Sequence, residues 1–475
     1  MPKFYTTTSI PYVNARPHLG HALEFVQTDV LARYHKLSGD DTFFLTGADE
    51  NSLKNVQAAE ALKISTKDLV DKNTKIFADL TKALNISNDD FIRTIEKKHF
   101  AGAQKLWSLC KKEDIYKKKY KGLYCVGCEA FYLEKDLVDG NCPEHKKPLE
   151  SVEEENYFFK LSNYQKQLEK IIESDTYEIV PNSRKNEVLS FIRMGLEDFS
   201  VSRSFERAHG WGVSVPGDEK QIMYVWFDAL SNYITGLDFA TNGHRFKQYW
   251  PCDVHVVGKG IIRFHAVYWP AMLLSAGVDL PKKLFVHGYI NIEGEKMSKS
   301  LGNVIDPLEL VAKYGCDPVR YYLLRHIHPV LDSDFGIKKL EDAYTADLAN
   351  GLGNLVSRVA GLIEQNSVKV SIKYQVSSIK FMDKYIENFQ FDQAMKFIWE
   401  KITKLDVYVS EKEPWALAKA GKTEELAKVL NEASNGIFEV AKLLEPFLPD
   451  TAKKIQDVFE KEEIRKGSPL FPRLV

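Results

Sequence analysis

Two hydrophobic periodicities divide the chain. Lys3–Ile10 reads as a buried strand, and Pro11 and Pro17 rule out an ordinary helix through the turn that follows. From Leu19 onwards the apolar residues Leu23, Val26, Val30, Tyr34 and Leu37 recur at helical spacing, with Ser38–Gly39 as the stop. Asp41–Leu45 reads as a second strand. Strands alternating with helices predict a parallel sheet with crossover connections. The Asn156–Phe205 stretch interrupts the pattern, which resumes at Gln221–Asp228 and Asp253–Val257. The sheet is therefore expected to be split in sequence and continuous in space, with ligands at the carboxyl ends of its strands. Leu284–Glu293 reads as one more apolar strand, ending at Gly294.

After about Phe335 the period changes to that of helices throughout. Leu348, Leu352, Leu355, Val359 and Leu362 form one apolar stripe, and Ala394, Ile398, Ile402, Leu405 and Val409 form another. Asn354 and Arg358 lie one turn apart on the flank of the first stripe, and Pro414–Trp415 opens a new helix. The fold class is thus α/β: a Rossmann-like parallel-sheet domain split by an insertion, followed by an all-α bundle. The expected boundaries are 1–114, 115–220, 221–335 and 336–475.

Composition narrows this picture. The chain has 475 residues, 44% of them hydrophobic and 27% charged, enough for two or three domains with real cores. Its start lacks a signal-peptide pattern, and no apolar run is long enough to span a bilayer, so a cytoplasmic, membrane-free protein is expected. Lys+Arg 64 against Asp+Glu 66 leaves a net charge of −2, so any RNA site must be a local patch and not a global basic field. Six cysteines in such a context read as metal ligands and core thiols, not disulfides.

The candidate chemistry begins at the first turn. His18–Leu19–Gly20–His21 puts two imidazoles one helical turn apart at a helix N-terminus, where unpaired N–H groups and the helix dipole suit a phosphate. Gly20 leaves room for close approach. The plainer alternative is a pair of helix-capping or packed histidines. Downstream, Lys296–Met297–Ser298–Lys299–Ser300 sits between a strand and the helix start Asp306–Pro307–Leu308–Glu309, which has an N-cap, a proline at the first helical position and a capping-box glutamate. A mobile loop with two ammonium groups can close over a triphosphate and reopen to release pyrophosphate.

Cys125–Val126–Gly127–Cys128 and Cys142–Pro143–Glu144–His145 form a Cys-x2-Cys and Cys-x2-His pair. Three thiolates and one imidazole make a closed tetrahedral shell for one structural zinc, which would staple a small loop-rich insertion. Cys110, Cys252 and Cys316 stand alone and are expected to be reduced packing residues.

Taken together, these residues resemble the methionyl-tRNA synthetases, a class I family. The likeness runs from about Phe4 to the C-terminus and rests on HLGH, Phe43–Glu50, the four-ligand knuckle, Tyr224–Tyr233, Arg263–His265, the KMSKS loop and Glu413–Trp415. It implies ATP (carried with Mg2+), L-methionine and tRNA(Met) as substrates, with methionyl-adenylate formed first. It places Ile10, Tyr12, Trp226, Ala229, Leu230, Tyr233 and His265 around the methionine side chain and Asp49 at its ammonium. Tyr12 and His265 are expected to direct hydrogen bonds towards sulfur. His18 and His21 would serve the α-phosphate, with Gly20 beside it; Lys296, Ser298 and Lys299 would serve the triphosphate and departing pyrophosphate. Asn354, Arg358 and Trp415 match anticodon-reading positions, where hydrogen bonds and a stacking face suit unstacked bases. The helical domain is then the anticodon-binding one. Many relatives append a dimerising domain, and a monomer is expected here.

Two departures stand out. The family usually follows Asp–Glu with His–Gly, whereas Asn51–Ser52 stands here; and it usually has Gly–Lys–Asp where this chain has Gly258–Lys259–Gly260. A non-catalytic tRNA-binding paralogue is disfavoured by the intact HLGH and KMSKS. The bundle disfavours a nucleotidyltransferase outside tRNA charging, and an insertion too short for a large editing domain disfavours the valine, isoleucine and leucine enzymes.

Overall fold

A computed structural model describes the chain except residues 128–129, 133, 135–136, 144–145, 293, 297–303, 374–379 and 475; of Ala130 and Lys296 it describes the backbone alone. The chain forms two compact units. The first comprises Met1–Pro17, Gly39–Thr81 and Ser87–His287; the second comprises His18–Ser38, Lys82–Ile86 and Gly288–Val475.

The first unit is built on a six-stranded parallel sheet. Its strands are β1 (Lys3–Thr8), β2 (Asp41–Ala48), β3 (Asp90–Arg93), β4 (Glu178–Val180), β5 (Val254–Gly258) and β6 (Lys283–His287), in the spatial order β3-β2-β1-β5-β6-β4. β1 pairs with β2 on one side (Thr6 opposite Phe44) and with β5 on the other (Thr6 opposite Val254). Strand order therefore runs outwards in both directions from the β1/β5 pair, a switch point of the kind where open α/β sheets hold ligands. β1 is buried on both faces from Phe4 to Thr8, as a central parallel strand requires.

Three expectations are corrected here. Gln221–Asp228 is not a strand of this sheet. Asp218–Met223 pairs antiparallel with Ser202–Ser204 and Ser214–Val215, and Val225–Leu230 is a helix. The stretch 156–205 is not wholly an insertion either, because β4 inside it pairs with β6 and closes one sheet edge. Leu284–Glu293 breaks in two: β6 ends at His287, and Ile290–Ile292 joins a separate small sheet in the second unit. Gly288 lies at the break, where a Cβ would stand 2.4 Å from the Leu331 backbone. The remaining antiparallel sheet of the first unit pairs Ile115–Cys125 with Glu150–Phe159 over ten positions.

The second unit is largely helical. It contains α1 (Leu19–Leu37), and further along the chain the helices Pro307–Tyr314, Cys316–Arg325, Asn354–Asn366, Phe391–Lys412, Pro414–Lys419, Thr423–Leu444 and Pro449–Phe459. Leu348, Leu352, Leu355 and Val359 are fully buried as expected, but Ile363 takes the next buried position instead of Leu362, after a π-helical stretch over Tyr344–Gly353. Arg320 is the polar hub of this unit. Fully buried, it pairs with Asp29 of α1 at 2.7 Å and donates to the carbonyls of Leu84, Pro446 and Phe447 at 3.0, 3.1 and 2.7 Å.

Candidate active site

The first unit gathers its candidates at the carboxyl ends of β1 and β2. Past β1, Tyr12 makes a single parallel bridge to Asp49, with the Asp49 N–H donating to the Pro11 carbonyl at 2.9 Å. Asp49 is 2% exposed, a buried carboxylate at a strand end. Trp226 lies on the short helix Val225–Leu230 and meets the Tyr12 ring edge-on at 6.2 Å. Phe264 stacks flat on Trp226, 3.6 Å between centroids, a neighbour the sequence reading missed although Phe264 adjoins His265. The Trp226 Nε1–H is buried without a hydrogen-bond partner among the described residues. Such a donor is costly unless a ligand meets it. Ala229 and Leu230 are buried on the same helix, and Ile10 is half-buried.

Tyr233 and His265 pair with each other, 2.7 Å from phenol oxygen to Nε2. The other ring nitrogen, Nδ1, lies 2.9 Å from the Ile261 carbonyl, which can only accept. Nδ1 therefore carries the proton, and Tyr233 donates to Nε2 when the ring is neutral. Both nitrogens are committed, so the expected hydrogen bond from His265 to a thioether is corrected: the ring is left to act by shape and packing. The segment bearing it, Phe264–Tyr268, is π-helical. Gly260 of the second departure is exposed, in the single turn Lys259–Ile261.

Behind Asp49 the polar contacts are dense. Glu50 is fully buried; the Arg93 guanidinium reaches its carboxylate at 2.6 Å and Thr74 donates to it at 2.8 Å. Burial pushes the Glu50 carboxyl above its ordinary range, against the pull of Arg93 and Thr74. Arg93 also pairs with Asp71, and the Trp211 indole N–H donates to the Glu50 carbonyl at 2.7 Å. Where the first departure falls, the Asn51 side chain donates to Asp228 and to the Thr94 carbonyl, while Ser52 caps the helix Leu53–Leu62. Asp228 also binds His99, whose other nitrogen lies 2.8 Å from the Thr235 hydroxyl.

In the second unit, His18 is the N-cap of α1 and both histidines cap it. His18 Nδ1 accepts from the Gly20 N–H, and His21 Nδ1 accepts from the His18 N–H, each at 3.1 Å. The rings stack 3.8 Å apart. With Nδ1 an acceptor in each, the proton of each neutral ring sits on Nε2, giving two parallel donors at a helix N-terminus. Capping thus engages Nδ1 of each ring. A Cβ at Gly20 would lie 3.0 Å from His18 Cε1, so any larger residue there would push the stacked ring aside by a few tenths of an ångström.

The lysine-rich loop is seen only at its flanks. Glu295–Lys296 pairs with Ile290–Ile292, and Asp306 caps the helix Pro307–Tyr314 by accepting from the Leu308 N–H at 2.9 Å. Ser298 and Lys299 lie outside the described residues.

For zinc, Cys125 closes its strand and Cys142 opens a tight turn, with the Lys146 N–H returning to the Cys142 carbonyl at 2.8 Å. Both are buried and neither is in a disulfide. Two buried thiols at turns fit a thiolate-rich metal site; Cys128 and His145 lie outside the described residues. A separate trio, Cys316, Asp317 and Asp450, also brings ligand atoms within 4.8 Å. It fits a cation poorly. Burial pushes the Cys316 thiol up to about 12, and Asp317 and Asp450 occupy the first turns of two helices, where the dipole opposes a cation.

On the helical bundle, Asn354 is exposed, Trp415 is 42% exposed, and the Arg358 guanidinium lies 5.9 Å from the Trp415 ring. Arg358 is half-buried, tied to Asp406 at 2.7 Å, so it is more anchored than a solvated flank residue.

Known proteins share this arrangement along the whole chain. The family model described as tRNA synthetases class I (M) matches residues 4–151 and 145–360. The methionine–tRNA ligase of Caldanaerobacter subterraneus subsp. tengcongensis is 41% identical over 99% of this chain and 79% of its own length. That of Brucella suis is 40% identical, covering 96% of this chain and 91% of its own. The solved structure of Mycobacterium tuberculosis methionyl-tRNA synthetase in complex with methionyl-adenylate superposes with a TM-score of 0.93 at 37% identity, covering 100% of both chains. With a buried strand-end carboxylate bridged to Tyr12, whose ring meets Trp226, and paired imidazoles capping the first helix, this chain belongs to the methionyl-tRNA synthetase family of class I aminoacyl-tRNA synthetases.

Proposed function

We infer that this chain performs its family's methionine–tRNA ligase reaction in two steps, using the residues assembled above. In the first, a methionine carboxylate oxygen attacks the α-phosphorus of ATP; the bond to the β-phosphate bridging oxygen breaks, and pyrophosphate leaves. In the second, the terminal ribose hydroxyl of tRNA(Met) takes the acyl group and AMP departs. No protein nucleophile is needed, so the protein contributes positioning and charge stabilisation.

Asp49 receives the substrate ammonium. Ile10, Tyr12, Trp226, Ala229, Leu230, Tyr233 and His265, with Phe264 behind Trp226, enclose the thioether chain. His18 and His21 direct their Nε2–H donors at the α-phosphate oxygens, where negative charge grows. Lys296, Ser298 and Lys299 serve the β- and γ-phosphates, and Mg2+ arrives with the nucleotide. Cys125, Cys128, Cys142 and His145 would hold one zinc, which supplies a cross-link and no chemistry. Asn354, Arg358 and Trp415 receive the anticodon. Residues 1–114 and 221–335 are the catalytic halves, 115–220 the connective insertion apart from β4, which belongs to the catalytic sheet, and 336–475 the anticodon-binding part.

No helix among the described residues is long and apolar enough to cross a membrane. The reading places the enzyme in the cytoplasm, where tRNA is charged. In this reading the working unit is a monomer.

The observation that carries the reading is the buried Asp49 bridged to Tyr12, which in turn abuts Trp226. An apolar slot ending in a carboxylate suits an α-amino acid with an unbranched apolar side chain. ATP–pyrophosphate exchange scanned across amino acids tests it, followed by charging of tRNA(Met). Exchange driven by methionine is expected; exchange driven by another amino acid, or by none, overturns it.

A further inference from the structure

The methionine slot has two walls on different elements, and one residue joins them. Asp49, at the end of β2, supplies the carboxylate; the helix Val225–Leu230 supplies Trp226 and Asp228. Asn51 bonds to both. Its backbone N–H donates to Asp49 Oδ1 at 3.2 Å, and its side-chain Nδ2 donates to Asp228 Oδ2 at 2.8 Å and to the Thr94 carbonyl at 3.0 Å. Both side-chain partners can only accept, which fixes the amide orientation without ambiguity. Asn51 is 8% exposed, Asp228 1% and Thr94 fully buried, so these bonds operate where water does not compete. The Asn51 Oδ1 atom has no hydrogen-bond partner among the described residues, so the donor side alone holds the residue.

We propose that Asn51 is the positioning residue that holds the ammonium-binding carboxylate and the tryptophan-bearing helix in register, and thereby sets the affinity for methionine. The proposal rests on Asp49 and Trp226 being the methionine contacts. It also gives a physical role to the position where this chain departs from its family. One amide nitrogen serves two acceptors that a single imidazole nitrogen cannot, because a ring N–H carries one proton.

Charged and titratable groups face this junction from several elements: Asp49 on its own segment, Asp228 on the helix Val225–Leu230, His99 on the helix Lys97–Leu109, and Arg203 on the strand Ser202–Ser204 lining the same small cavity. A carboxylate introduced at 51 would face Asp228, and one of the two must take a proton for a hydrogen bond to survive. Asn51→Asp should therefore regain function as pH falls, which a merely structural lesion does not do.

The experiment measures ATP–pyrophosphate exchange for the wild type, Asn51→Ala and Asn51→Asp between pH 6 and pH 8, each variant normalised to the wild type at the same pH. At pH 8 the KM for methionine should rise about tenfold in both variants, equivalent to about 1.4 kcal/mol. The KM for ATP should move by less than about twofold, and the Asn51→Asp deficit should shrink by at least half at pH 6. Unchanged methionine KM, a parallel rise in the KM for ATP, or an Asn51→Asp deficit indifferent to pH overturns the proposal. If Asn51→Ala does not fold, the Asn51→Asp profile decides alone. Failure of the wild type to exchange with methionine would instead strike the functional reading beneath it.

Discussion

Removing Arg93 should expose how the carboxylate pair at the end of β2 is held. Arg93 donates to Glu50 from Nε at 3.0 Å and from Nη2 at 2.6 Å, and Glu50 is wholly buried while Arg93 is 29% exposed. Breaking a fully buried ion pair costs about 3–5 kcal/mol; water can reach the vacated guanidinium position, and Thr74 stays, so Arg93→Ala should cost about 2–4 kcal/mol. The cost should depend on pH with a definite sign. Burial already raises the Glu50 carboxyl above its ordinary 4.5, and loss of Arg93 raises it further. A carboxyl raised on folding is best tolerated while protonated. The variant is therefore least impaired at or below that ordinary value, and its stability falls as pH climbs through the raised one. Urea unfolding at pH 5 and pH 8 reads this directly, and the methionine KM should rise as well, because Asp49 is the adjoining residue. Adding Glu50→Gln to Arg93→Ala should abolish the difference between the two pH values. An equal loss at both, or a difference surviving in the double variant, would refute the account.

Four further outcomes are expected. Gly20→Ala pushes a methyl against the His18 ring and should lower kcat/KM for exchange about 10- to 100-fold, with α1 still folded by circular dichroism; unchanged exchange would remove the stacked pair from the chemistry. Arg320→Met takes one guanidinium from Asp29, which keeps Arg33 at 2.7 Å, and removes the donors to the Leu84, Pro446 and Phe447 carbonyls; it should cost about 3–5 kcal/mol by thermal unfolding. Arg358→Ala and Trp415→Ala should raise the KM for tRNA in aminoacylation about 5- to 150-fold, the worth of a lost stacking contact of about 1–3 kcal/mol, and leave exchange intact; equal loss in both assays contradicts the anticodon role. Elemental analysis of protein never exposed to chelator should find about one zinc per chain, and Cys125→Ser should abolish it.

Legibility in the sequence followed the physics of each segment. The turn into α1 was readable because prolines and a long 3.6-residue period bracket it. The stripes of the bundle were readable for the same reason, although Ile363 and not Leu362 is the buried residue after Val359. Gln221–Asp228 misled because a short apolar run looks alike in strand and helix; here the chain turns at Tyr224 and begins a helix one residue later. The three residues of β4 carry no period at all, and only pairing with β6 reveals them. Within the site, Tyr12, Asp49, Trp226 and His265 could be named through family likeness. What His265 donates, and what Asn51 holds together, could not, because hydrogen-bond direction depends on partners 4 and 177 residues away.

The pairing of β1 with β5 has a consequence for biogenesis. Thr6 and its partner Val254 are 248 residues apart. At about 5–20 residues per second, a ribosome takes roughly 12–50 s to add that interval. Throughout that time the nascent β1 edge stands without its neighbour and can recruit a foreign strand. The central seam of the sheet is thus sewn late, and the emerging polypeptide is a natural client for ribosome-associated holdases until β5 has left the tunnel.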